Sequence, residues 1–99
     1  MKKSVNGKTF DEIFGQKGDM LETKGLFYNT RYLFVSSDYV YIAELSHIDD
    51  DDGMLMFNDS ICNDGEFDSD NGEKGIYADF IYVPTPDQIA LLELYKSDK

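Results

Sequence analysis

From Leu21 onward the apolar residues recur every second position, and turn residues interrupt them at short intervals. That period is the signature of half-buried strands. Leu21–Tyr28 reads as a first strand, closed by Asn29-Thr30. Arg31–Ser36 reads as a second, turned by Ser37-Asp38. Tyr39–His47 is the clearest: Tyr39, Tyr41, Ala43 and Leu45 alternate with Val40, Ile42 and Glu44. It is rich in Tyr, Val and Ile, which pack well on a pleated surface. Asp52-Gly53 turns the chain into Met54–Cys62, and Asp64-Gly65 and Asn71-Gly72 punctuate the segment after it. Ile76–Val83 reads as the last strand, with Ala78, Phe80 and Tyr82 on one face. Closely spaced runs with short connections predict an antiparallel meander of about five strands.

The two ends carry different signals. Asn6-Gly7 suits a tight hairpin turn, because both residues accept positive φ. Thr9-Phe10-Asp11-Glu12 reads as a capping box that opens a short helix over Phe10–Phe14, with Phe10, Ile13 and Phe14 inward and Gly15 as its stop. Both fit only if the hairpin is very short. Near the C-terminus, Thr85-Pro86-Asp87-Gln88 combines an N-cap, a proline at the first helical position and a capping-box glutamine. Ile89, Leu92 and Tyr95 follow at helical spacing, flanked by Leu91 and Leu94, with Glu93 and Ser97 opposite. The fold class predicted is α+β: an antiparallel sheet with a C-terminal helix on one face and a short N-terminal helix.

Ninety-nine residues are enough for one domain with one core. Fourteen aromatics (seven Phe, seven Tyr) separate the chain from disordered acidic proteins, which are poor in them. The charge is lopsided. From Tyr32 to Glu73 there are twelve carboxylates and no Lys or Arg, whereas residues 1–31 sum to +2 and residues 74–99 to −1, giving the net −11. Such a charge repels nucleic acid and anionic membranes, so direct binding to either is not expected. The partners left are cations and basic proteins. Met1-Lys2-Lys3 is followed by no apolar run, so neither a signal peptide nor a membrane span is expected, and a cytoplasmic setting follows. Cys62 is the only cysteine, which rules out an intrachain disulfide.

Carboxylates beside turn glycines invite calcium, yet no EF-hand register fits. With Gly53 at loop position 6, Ile48 falls at position 1; starting from Asp68, Glu73 falls where glycine is required. Non-EF calcium binding at Asp49–Asp52 or Asp64–Asp70 is the metal reading that survives. Zinc needs several Cys or His ligands, and His47 and Cys62 are one of each. No nucleophile elbow, P-loop or zincin motif occurs, and His47 is the sole imidazole for any nucleophile to use. The expectation is no enzyme, no cofactor and no metal site.

Asp64, Glu66, Asp68 and Asp70 fall at every second residue. In an extended chain they project to one side at intervals of roughly 6.6 Å. Two exposed charges 4 Å apart repel by about 1 kcal/mol in water. Twelve clustered acids therefore cost about a few kcal/mol against a total stability of about 5–15 kcal/mol. A surface that opposes folding to this extent points to a partner. The predicted partner-binding residues are Asp49, Asp50, Asp51, Asp52, Asp59, Asp64, Glu66, Asp68, Asp70 and Glu73. Phe57 and Phe67, with Met54 and Met56, are the apolar anchors nearest to them.

In charge, size and α+β pattern the chain resembles the small acidic DNA-mimicking inhibitors, among them anti-restriction and anti-CRISPR proteins and the phage inhibitor of uracil-DNA glycosylase. The resemblance is one of composition, without a shared motif. It implies an inhibitor that occupies the basic surface of a nucleic-acid-binding protein. The alternatives are an immunity protein that neutralises a basic nuclease toxin, and a calcium-binding or structural accessory domain.

Overall fold

The computed structural model describes residues 2–98, with the side chains of residues 70–73 left aside. Its elements in chain order are α1 (Phe10–Phe14), β1 (Met20–Leu21), β2 (Thr30–Val35), β3 (Val40–Ile48), β4 (Leu55–Cys62), β5 (Phe67–Ile76), β6 (Phe80–Tyr82) and α2 (Pro86–Ser97). The strands form one antiparallel sheet in the order β1-β6-β2-β3-β4-β5. β2 to β5 are the expected meander; β6 then returns to the far side of β2.

Both N-terminal signals hold at once. Asn6 and Gly7 take φ of 54° and 77° in a turn closed by Val5 and Lys8, and Thr9 immediately opens α1 with a full capping box. The Leu21–Tyr28 strand does not form beyond Leu21. Gly25 and Asn29 have φ of 92° and 59°, left-handed conformations that a strand cannot contain. Ile76–Val83 is likewise not one strand: Ile76 ends β5 and Phe80 begins β6. The glycine- and aspartate-rich segment 67–76 is instead a strand, because β4 supplies its ladder partner, with Phe67 opposite Ile61.

Opposite residues in a ladder share a face. Tyr82, Leu33, Ile42, Ile61 and Phe67 form one row across five strands, and α1 and α2 cover its centre through Phe10, Ile13, Phe14, Leu91, Leu92 and Tyr95. The buried stripe of α2 is Gln88, Leu91, Leu92 and Tyr95, so Ile89 is exposed rather than inward. Gln88 is fully buried. Its side-chain oxygen caps α2 at Thr85 N, and its Nε2 donates to the carbonyls of Ile13 (2.9 Å) and Gln16 (2.7 Å), which joins the helices.

The other face has no helix on it. Leu21, Ile81, Phe34, Tyr41 and Cys62 form its row. Register shifts at Ala43/Leu45 and Leu45/His47 in the β3–β4 ladder, and at Phe57/Asp59 in the β4–β5 ladder, bend the outer half of the ribbon. Ile48, Leu55, Phe57 and Ile76 thereby join the same cluster as Phe34 and Ile81. Only residues 77–79 link Ile76 to Phe80, a reach of about 14 Å at most, so the end of β5 lies near the edge that β6 occupies. The sheet supplies its own second layer by folding over.

Candidate protein-binding surface

The acidic block occupies two hairpin turns at opposite ends of β4, together with parts of β4 and β5. In the β3–β4 turn, Asp49 Oδ1 accepts from Asp51 N (2.8 Å) and Asp52 Oδ1 accepts from Met54 N (3.1 Å). In the β4–β5 turn, Asp64 Oδ1 accepts from Glu66 N (2.9 Å). Each turn is closed by a glycine at positive φ, Gly53 (77°) and Gly65 (96°). Aspartate suits these positions because its short side chain bonds its own backbone two residues on. One carboxylate oxygen is thus tied to the turn, which holds the side chain in place. Asp50, Asp51, Asp52, Asp64 and Glu66 are exposed, and Asp49 is half-exposed.

Two of the predicted contact acids serve the fold instead. Asp59 accepts from Ser69 Oγ (2.7 Å) and pairs with Lys96 of α2 (3.4 Å). Asp68 pairs with Lys74, two strand-ends brought together by the irregular β5, and Lys74 lies over the Tyr41 ring. Burial alone would lower the Lys74 pKa; the Asp68 bond and charge outweigh it and raise it. The four-carboxylate comb is therefore not a single comb: Asp64 lies in the turn, Asp68 is ion-paired on the folded-over face, and the side chains of Asp70 and Glu73 lie outside the described residues.

The apolar anchors also divide. Phe57 is 1% exposed, its ring 4.9 Å from Phe34 and 5.8 Å from Tyr41, so it is a core residue and not a contact. Phe67 is half-buried against Tyr95. Met54 and Met56 are half-buried and close over Gly75, where a Cβ would run into both thioethers.

The crossover places further groups near each turn. The Asp52 carboxylate near the Tyr77 phenol raises its pKa, with burial and the Asp49 charge adding to the effect. Two residues on, Asp79 N donates to Val35 O (2.8 Å) at the end of β2. The β2–β3 turn there carries the exposed Asp38, and Asn63 N, beside Asp64, donates to Val40 O (2.9 Å) across it. Tyr77, 56% exposed, and Tyr39, 47% exposed, stand among these carboxylates. The sequence reading missed Asp38, Tyr39, Tyr77 and Asp79, since their proximity depends on the crossover.

Four of the cations pair with acids outside the turns. Lys2, Lys3, Lys8 and Arg31 pair with Asp11, Asp98, Asp87 and the Glu44–Glu93 couple, all outside the turns. A cleft of about 280 Å³ lies at the N-terminus between Lys2, Lys3, Ser4, Thr9, Phe10 and Asp11, and the Lys2 side chain also borders Gly65 of the β4–β5 turn. Among the described residues no three Cys, His, Asp or Glu side chains are grouped as metal ligands. His47 bonds Ser46 (3.0 Å), and burial pushes the Cys62 thiol up. Among the described residues no helix is long and apolar enough to cross a membrane. Comparison of the chain with protein-family models, curated proteins and solved structures finds no match.

Proposed function

We propose that the protein is a small non-enzymatic inhibitor that binds a basic, nucleic-acid-binding protein through the acidic turns and occupies the surface that would otherwise hold phosphates. The observation that carries this reading is the tethering of Asp49, Asp52 and Asp64 to their own turns, with no Lys or Arg from Tyr32 to Glu73 to neutralise them. Tethered carboxylates lose little freedom on binding, so more of the interaction with Lys and Arg appears as affinity. Their net negative field speeds the approach of a cationic partner. The contact set is Asp38, Asp49, Asp50, Asp51, Asp52, Asp64, Glu66 and Asp79, with Tyr39 and Tyr77 as the aromatic members. Binding within a cytoplasm fits the absence of a disulfide.

The test is capture from a host lysate with the native chain and with a variant in which Asp49–Asp52, Asp64 and Glu66 are Asn or Gln. The expected result is a basic nucleic-acid-binding protein that the native chain retains, that salt or duplex DNA releases, and that the variant fails to retain. Equal retention by the variant, or no salt-sensitive partner, overturns the reading. A secreted nuclease as the retained protein would assign the immunity role to the same surface.

A further inference from the structure

A ring, a carboxylate and an ammonium meet three times among the described residues. Lys2 pairs with Asp11 (3.3 Å) and lies 5.4 Å from the ring centroid of Phe10. Lys3 pairs with Asp98 and lies 4.8 Å from that of Tyr95. Lys74 pairs with Asp68 and lies 5.9 Å from that of Tyr41. Each arrangement suits a cation, which the carboxylate attracts by its charge and the ring by its quadrupole.

Tyr77 has the ring and the carboxylate without the cation. Leu55 pairs with Ile48 on one side and with Ile76 on the other, so Tyr77 leaves the ladder at the mouth of the β3–β4 turn. The Asp52 carboxylate of that turn raises the Tyr77 pKa, with burial and Asp49 adding to it. The residue is 56% exposed. Among the described residues no Lys or Arg lies over its ring or pairs with Asp49 or Asp52. Lys74, three positions before Tyr77, is already held by Asp68 and Tyr41. Each turn aspartate gives Oδ1 to its own backbone, and a carboxylate has about four acceptor positions, so both retain capacity for an outside donor.

We infer that Tyr77, Asp52 and Asp49 form a site for one arginine of the partner, its guanidinium flat on the Tyr77 ring and its N–H groups donating to the two carboxylates. Lysine serves in the three internal arrangements, where the fold already holds it. A cation from outside must first give up water. Guanidinium is more weakly hydrated than ammonium, stacks on a ring face and donates two parallel bonds to a carboxylate. The inference rests on the proposed function, since phosphate-binding surfaces are rich in arginine, and it names the partner side chain that is read and where.

Glycine-spaced hexapeptides with three arginines or three lysines are the probes. Binding to the full chain at low salt is read by calorimetry and by amide and aromatic chemical shifts. The expected result is about fivefold tighter binding of the arginine peptide, the size of one exposed cation–π contact, with the largest ring shifts on Tyr77. Tyr77→Phe should keep that preference, and Tyr77→Leu should remove it without weakening the lysine peptide. Asp52→Asn should weaken both peptides. Circular dichroism checks that the variants are folded. Equal binding of the two peptides, a preference that Tyr77→Leu leaves intact, or a Tyr77 ring that the arginine peptide does not shift in the native chain overturns the inference and leaves the acidic-surface reading standing. Failure of both peptides to bind overturns both.

Discussion

The ring of Phe57 on β4 lies 4.9 Å from that of Phe34 on β2, although β3 runs between the two strands. They meet on the face where the intervening β3 presents Ala43, the smallest residue of that cluster. In the β3–β4 ladder the three steps of β4 from Ser60 to Phe57 oppose two steps of β3 from Ala43 to Leu45, and that extra residue puts Phe57 on the face of Ala43 and Cys62.

Phe57→Ala should therefore cost about 3–5 kcal/mol, the usual loss for emptying a buried phenylalanine site. Urea unfolding with an unchanged slope measures it. A loss below about 1 kcal/mol would mean that the outer half of the ribbon does not close over this face.

Gln88→Leu should destabilise by about 2 kcal/mol or more, because the carbonyls of Ile13 and Gln16 lose their shared donor in a buried site. Thermal unfolding checks it. Amide exchange should rise first in α1, which that amide ties to α2.

Asp87 accepts from Lys8 Nζ (2.9 Å), Asn6 Nδ2 (3.0 Å) and Gln16 Nε2 (2.9 Å), and these bonds hold its carboxyl far below the usual range. Because the folded value is depressed, its contribution is complete above the unfolded value of about 3.9 and is lost as pH falls below it. Asp87→Asn should lower the melting temperature at pH 7, and the gap to the native chain should close toward pH 2. A gap that persists undiminished at pH 2 would show that the charge is not what matters.

The turn carboxylates repel one another, so replacing Asp49–Asp52 with Asn should raise the melting temperature at low salt. Each kcal/mol relieved is worth about 4–8 °C in a domain of this size. Added salt should raise the native chain's melting temperature and the variant's by less. Asn retains the side-chain acceptor that each turn uses, so the comparison isolates charge.

Cys62 is buried on the folded-over face and its thiol is pushed up by that burial. It should react with an aromatic disulfide reagent at pH 7.5 about tenfold or more slowly than in urea. Equal rates would place it on an open surface.

Local chemistry was legible in the residues themselves. Thr85-Pro86-Asp87-Gln88 specifies a helix start, Asn6-Gly7 a turn and Tyr39–His47 a strand, because caps, positive φ and side-chain alternation depend on neighbours within four residues. The same logic located the exposed carboxylates in turns closed by Gly53 and Gly65. Where long-range pairing decides, the local pattern misled, since 67–76 is a strand because β4 lies beside it; within 22–28 the chain turns at Gly25, at positive φ. Leu92 and Tyr95 of α2 face inward as their spacing predicts, but Gln88 is buried in place of Ile89, its amide donating to the carbonyls of Ile13 and Gln16.

The sequence by itself thus determined the fold class, the helix caps, and the concentration of negative charge between Tyr32 and Glu73. Only the tertiary structure decided that Asp59 and Asp68 are spent on internal lysines, that Phe57 is core, and that Asp38, Asp79, Tyr39 and Tyr77 join the acidic turns. The reason is the three register shifts in the β3–β4–β5 ribbon. A one-residue slip in register changes which face a side chain occupies, and no local pattern of apolar and polar residues records where that slip falls.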